Sequence, residues 1–143
     1  MIKRILVIDD DELVLDSVGA LLKSKGYEAQ TARNAIDALD LLDREVFGLV
    51  LCDIRMPGIN GFETIKSLRL TSQKLERENP NESVAVIFMS AYSDKKLRAE
   101  AEKYSPVAYL VKPFEDNILL GLTKEVFEHL ADQAKSKAGK SKS

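Results

Sequence analysis

Four places in this 143-residue chain carry side chains that can do chemistry together. Asp9, Asp10 and Asp11 stand in a row with Glu12 behind them, and Asp53 precedes Ile54-Arg55-Met56-Pro57-Gly58. Ser90 precedes Ala91, and Lys112 precedes Pro113-Phe114. Each group comes at the end of a short apolar run, so each reads as the tip of a strand. Carboxylates gathered at one such place repel: at 4 Å and an effective dielectric near 20, a like-charged pair costs roughly 4 kcal/mol. A fold keeps such a cluster when a divalent cation occupies it or when protons are shared. Oxygen donors from one to three carboxylates favour a hard cation such as Mg²⁺, which keeps waters and leaves positions for substrate oxygens. A lysine opposite suits a phosphoryl group, whose oxygens need positive charge as the transition state forms.

The elements that must position these groups are legible from periodicity. Residues 5–8, 49–52, 84–88 and 107–111 are apolar on both faces, as buried parallel strands are. Residues 27–32 alternate instead, which suits a strand at a sheet edge with one wet face. Between the runs, apolar residues recur every three or four positions: Val14, Val18, Leu21 and Leu22; Ala35, Ala38, Leu39 and Leu42; Ile65, Leu68 and Leu75; Leu97, Ala101 and Tyr104; then Ile118, Leu119, Leu122, Val126 and Leu130. Gly26 is a C-terminal stop for the first helix and Asn34 an N-cap for the second. Five βα units with right-handed crossovers imply an α/β fold, a doubly wound, flavodoxin-like parallel sheet of order 2-1-3-4-5. Functional groups of such a sheet gather at the carboxyl ends of its strands, and adjacency of strands 1 and 3 puts the acidic row beside Asp53.

Singly, none of these residues is informative. Asp11 and Glu12 also read as acids at a helix N-terminus, where they complement the dipole. Asp53 alone is a turn residue and Lys112 alone a surface lysine. Their joint position at strand ends is the signal.

In the stretches Ile5-Leu6-Val7-Ile8-Asp9-Asp10-Asp11, Leu51-Cys52-Asp53-Ile54-Arg55-Met56-Pro57-Gly58-Ile59-Asn60-Gly61, Met89-Ser90-Ala91 and Leu110-Val111-Lys112-Pro113-Phe114 the chain resembles the receiver domain of bacterial two-component response regulators. The resemblance covers residues 4 to about 130 and implies a role for each matching residue. Asp53 is the expected phosphoacceptor, taking a phosphoryl group from a sensor histidine kinase or a histidine phosphotransfer protein of a phosphorelay. Asp10, Asp53 and the backbone carbonyl of Arg55 are the expected Mg²⁺ ligands, with Asp9 acting largely through water. Ser90 and Lys112 are expected to engage phosphoryl oxygens, and Lys112-Pro113 to be a cis peptide. Tyr109 holds the aromatic switch position: Ser90 moves in, Tyr109 turns inward, and the surface of helix 4, strand 5 and helix 5 changes. Arg55 and Tyr92, two residues after Asp53 and Ser90, are expected to shield the phosphoryl group from water and slow its loss.

Such a protein is a signalling switch and no enzyme beyond its own phosphorylation and autodephosphorylation. Its expected output is a downstream protein target or an attached output domain, with phosphorylation-dependent dimerisation as a further expectation. One alternative is an aspartyl-phosphate phosphohydrolase of the dehalogenase type, which usually carries a second aspartate two residues after the first, where this chain has Arg55. Another is a degenerate receiver that only binds partners, which would be expected to lack Asp53, an acidic-pair member or Lys112.

Composition bounds the rest. Hydrophobic residues make up 45% and charged residues 31%, ordinary for a soluble domain. No apolar run approaches the roughly 20 residues of a membrane span, no secretory signal is read at the N-terminus, and the single cysteine, Cys52, fits a reducing cytoplasm. Residues 1–133 are read as the receiver domain and residues 134–143 as a basic, disordered tail. Without the four tail lysines, 17 basic residues face 23 acidic ones, a charge of −6 that argues against direct nucleic-acid binding by the domain. No output domain is read after residue 133, so the chain is expected to be a stand-alone regulator or the receiver part of a longer protein. Two departures from the family pattern stand out. Residues 70–83 are longer than usual, which reads as a solvated extra turn or a docking feature. Glu102-Lys103-Tyr104-Ser105-Pro106 lacks the glycine-containing turn common there. His129 reads as surface or interface, and Cys52 as a buried strand residue.

Overall fold

The computed structural model describes residues 3–75, 81, 83–92 and 94–141. In chain order they form β1 (Arg4–Ile8), α1 (Glu12–Ser24), β2 (Glu28–Ala32), α2 (Ala35–Arg44), β3 (Leu49–Asp53), α3 (Gly61–Leu75), β4 (Ala85–Ser90), α4 (Lys95–Glu102), β5 (Ala108–Val111) and α5 (Asp116–Ser141). All neighbouring strands pair in parallel, in the order β2-β1-β3-β4-β5. The expected topology is thus the observed one, with the alternating strand β2 at an edge.

Side chains alternate across a strand, and here each set meets its own helices. Leu6, Ile8, Val50, Cys52, Val86 and Phe88 face Ala38, Leu42, Ile65, Leu68 and Ala101 of α2, α3 and α4. Ile5, Val7, Leu49, Leu51, Ile87 and Met89 face Leu15, Val18, Leu22, Leu119 and Val126 of α1 and α5. Two apolar layers on a fully buried β3 hold the sheet rigid behind its carboxyl edge.

Local chemistry sets the helix ends. Asp11 caps α1 by accepting from the Leu13 N–H at 2.9 Å, and Asn34 caps α2 by accepting from Asp37 N–H at 2.8 Å. Gly26, at φ 89°, ends α1 as expected. The turn after α4 uses a different device: Ser105 takes φ 50° without a glycine, and Arg69 of α3 donates to the Tyr104 carbonyl at 2.5 Å. The helical stripe read through Tyr104 overshoots, because α4 stops at Glu102 and the Tyr104 ring stacks on Phe62 with centroids 5.5 Å apart.

Helix α5 continues to Ser141, through residues that charge alone sets apart as a tail; alanine and lysine are good helix formers. Of the long 70–83 segment, α3 accounts for residues up to Leu75, while residues 76–80 and 82 lie outside the described residues. Asn81 within it is fully buried: it accepts from Phe47 N–H at 2.9 Å and donates to the carbonyls of Leu42 and Glu45.

Candidate functional site

Strand register decides which side chains meet. Ile8 pairs with Cys52, so the next residues on the two strands, Asp9 and Asp53, come side by side. Asp53 pairs with Met89 and Ser90 with Val111, which brings Ser90 and then Lys112 to the same edge. Asp9 is fully buried and both its oxygens are engaged: one accepts from Asp11 N–H at 3.0 Å, the other from Lys112 Nζ at 2.5 Å. Asp10 is exposed and Asp53 is 5% exposed. With Asp11 engaged as the α1 cap, Asp9 and Asp10 are the pair that faces Asp53.

Asp9, Asp10 and Asp53 each place a carboxylate oxygen within 4.8 Å of the others. Burial foremost, then the Asp9 charge, push the Asp53 carboxyl up to about 7, with Asp10 adding to the rise and Lys112 opposing it. Lys112 Nζ lies 3.5 Å from Asp53 Oδ1. Burial alone would lower its affinity for a proton, but the hydrogen bond to Asp9 and the charges of Asp53 and Asp9 hold the ammonium above its ordinary range. The lysine stays charged beside carboxylates it cannot fully neutralise. Among the described residues this is the one group of three acidic, histidine or cysteine ligand atoms close enough to share an ion, and its hard oxygen donors suit Mg²⁺.

The loop after β3 is held from below. Gly61 N–H donates to the Ile54 carbonyl at 2.9 Å, and a Cβ on Gly61 would stand 2.3 Å from the Asp53 carbonyl oxygen. Only glycine admits this approach. Nothing in the residue types near Gly61 signals this role, because its proximity to Asp53 depends on the fold. The Lys112-Pro113 bond is cis, as expected. Cys52 is buried, and burial followed by the Asp53 and Asp9 charges raises its thiol, so it is no nucleophile. His129 lies exposed on α5.

Ser90 is 1% exposed, and its hydroxyl accepts from the Tyr92 N–H at 3.1 Å. The Tyr92 carbonyl accepts from the Tyr109 hydroxyl at 2.8 Å. One residue, Tyr92, thus links Ser90 to Tyr109. The Arg55 guanidinium lies over the Tyr92 ring, 4.3 Å from its centroid, so the two expected shielding residues touch.

The model of the family described as "response regulator receiver domain" matches residues 5–124. The transcriptional regulatory protein ZraR of Klebsiella oxytoca is 37% identical over 125 residues, covering 87% of this chain and 26% of that protein. The transcriptional regulatory protein FixJ of Bradyrhizobium diazoefficiens is 34% identical over 135 residues, covering 94% of this chain and 62% of that protein. The chain therefore spans less than two thirds of the length of either relative. Among solved structures, the response regulator TrrA of Thermotoga maritima, in complex with Mg²⁺ and BeF, superposes with a TM-score of 0.71 at 30% identity, over 87% of this chain and 99% of that one.

Proposed function

The chain belongs to the response regulator receiver domain family, and we propose that it works as a switch thrown by phosphorylation of Asp53. The observation that carries this reading is the pocket itself: three carboxylates within 4.8 Å of one another, with Lys112 bonded to one and 3.5 Å from another. Asp10, Asp53 and the Arg55 carbonyl would hold Mg²⁺, with Asp9, already engaged on both oxygens, contributing through water. The cation supplies charge that binds and polarises phosphoryl oxygens. Asp53 attacks the phosphorus of a donor phosphohistidine; the oxygen–phosphorus bond forms as the phosphorus–nitrogen bond breaks. Lys112 shifts its charge from Asp9 towards the transferred group, and the Ser90 hydroxyl gives up the Tyr92 N–H to donate to a phosphoryl oxygen. Hydrolysis later returns Asp53, and in this reading the stacked Arg55 and Tyr92 side chains slow it.

Output follows from the residue between them. When Ser90 leaves Tyr92 N–H, the loop carrying the Tyr92 carbonyl shifts, and with it the Tyr109 hydroxyl bond and the surface of α4, β5 and α5. Moving such a switch from 1:99 to 99:1 takes about 5.5 kcal/mol of preference for one state. The donor is a sensor histidine kinase or histidine phosphotransfer protein of the cytoplasm. The recipient is a protein target, an attached output domain or a second copy in a phosphorylation-dependent dimer. Among the described residues, no helix is long and apolar enough to cross a membrane.

Beryllofluoride with Mg²⁺ mimics the phosphoryl group and tests the reading. Tyr109 and Ser90 resonances are expected to shift in the native chain and to stay put in Asp53→Asn. An unchanged native spectrum removes the switch; turnover of free phosphomonoesters promotes the phosphohydrolase alternative.

A further inference from the structure

Four residues, linked through the backbone carbonyl of Tyr92, form a line from the loop after β3 to α4. Arg55 lies over the Tyr92 ring at 4.3 Å, the Tyr92 carbonyl accepts from Tyr109 at 2.8 Å, and Arg98 lies over the Tyr109 ring at 5.0 Å. Arg55, Tyr92 and Arg98 are exposed, as are Lys95 and Lys96 in the first turn of α4. Among the described residues none of these four cations forms an ion pair, whereas Arg4, Arg33, Arg44, Lys103 and Lys124 each do. Asp94, the acid next to them in sequence, is engaged in capping α4 through the Lys96 N–H. A chain of net charge −2 thus keeps four cations outside ion pairs at residue 55 and within residues 95–98.

A guanidinium lying on an aromatic ring keeps its in-plane N–H groups free and loses side-chain freedom before any partner arrives. Two such groups on one line are preorganised for carboxylates. The Tyr92 ring, 52% exposed, adds an apolar contact between them. We propose that this line is a recognition surface for an acidic segment of a partner protein. Carboxylates take Arg55 and Arg98, and an apolar side chain packs on Tyr92. The proposal rests on the switch reading, because the Tyr109 hydroxyl bond that joins the two halves is the bond expected to change with Asp53. Nucleic acid is disfavoured by the negative charge of the rest of the chain.

The test is a nuclear magnetic resonance titration of the whole chain, with and without Mg²⁺ and beryllofluoride. The probe is a short peptide of alternating glutamate and leucine, with a lysine-for-glutamate peptide and a single-stranded oligonucleotide as competitors. Shifts are expected at Arg55, Tyr92, Arg98 and Tyr109. Affinity is expected to fall about threefold to fivefold in Arg98→Gln and in Tyr92→Leu, and to hold in Lys23→Gln on α1. Equal weakening by Lys23→Gln, shifts elsewhere, or tighter binding of either competitor overturns the proposal. So does self-association that Arg98→Gln abolishes, since a second copy is then the occupant. Beryllofluoride shifts around Asp53 without peptide shifts at the arginines sink this surface alone. Their absence sinks the switch, and the surface is then judged by the peptide titration in the unmodified protein.

Discussion

Lys112 Nζ sits 2.5 Å from Asp9 and 3.5 Å from Asp53, so this cation leans on the carboxylate that is fully buried. Asp53, itself 5% exposed, is left with the longer contact to the same lysine. A nucleophile needs that freedom.

Removing the lysine exposes the repulsion it offsets. Lys112→Met is expected to destabilise the metal-free protein by about 2 kcal/mol at pH 8, because a buried carboxylate loses its partner. Urea unfolding with and without Mg²⁺ checks this, with the loss expected to be smaller when the cation is present. Unchanged stability without the cation contradicts the compensation.

Proton linkage gives a second test. The folded Asp53 carboxyl is held up at about 7 against an ordinary 3.8. Between those values the folded chain keeps a proton that the unfolded chain has lost, so metal-free stability falls as pH rises from about 4 to about 7. Asp53→Asn is expected to flatten this segment of the stability–pH profile. Mg²⁺ competes with the proton for the same carboxylate, so the stabilisation it gives is expected to be larger at pH 8 than at pH 5.5. The reverse order contradicts the assignment of Asp53 as a ligand.

Gly61→Ala is expected to cost about 2–3 kcal/mol, since its Cβ would press on the Asp53 backbone carbonyl at 2.3 Å. Slower phosphorylation should accompany the loss, because the loop that carries Asp53 must move. Wild-type stability in thermal unfolding contradicts the close packing.

Ser105, at φ 50°, makes the opposite case. Ser105→Gly is expected to stabilise by about 0.5–1 kcal/mol and Ser105→Val to destabilise, because only glycine takes this conformation without strain. Calorimetry on the pair reads the sign directly.

Much of this was legible in the chain because it rests on short-range pattern. Runs such as residues 5–8 and 49–52, apolar on both faces, can hardly be anything but central strands, and the residue after each then falls at one edge. What escaped depends on distances between remote residues. Nothing near Asn81 announces that its amide will reach the carbonyls of Leu42 and Glu45. Nothing in residues 102–106 reveals that Arg69 will hold the Tyr104 carbonyl. Arg55 and Tyr92 were each read as bulky shields, but their stacking is set by how two loops approach. The end of α5 was misjudged for another reason. Charge separates residues 134–143 from the body, yet helix propensity carries the backbone to Ser141.

The central claim meets its most direct test in one measurement. The whole chain is incubated with Mg²⁺ and a small-molecule phosphodonor, and its intact mass is recorded. The native protein is expected to gain the mass of one phosphoryl group, lost on removing Mg²⁺ and absent in Asp53→Asn. An equal gain in Asp53→Asn, or none in the native chain, contradicts the account.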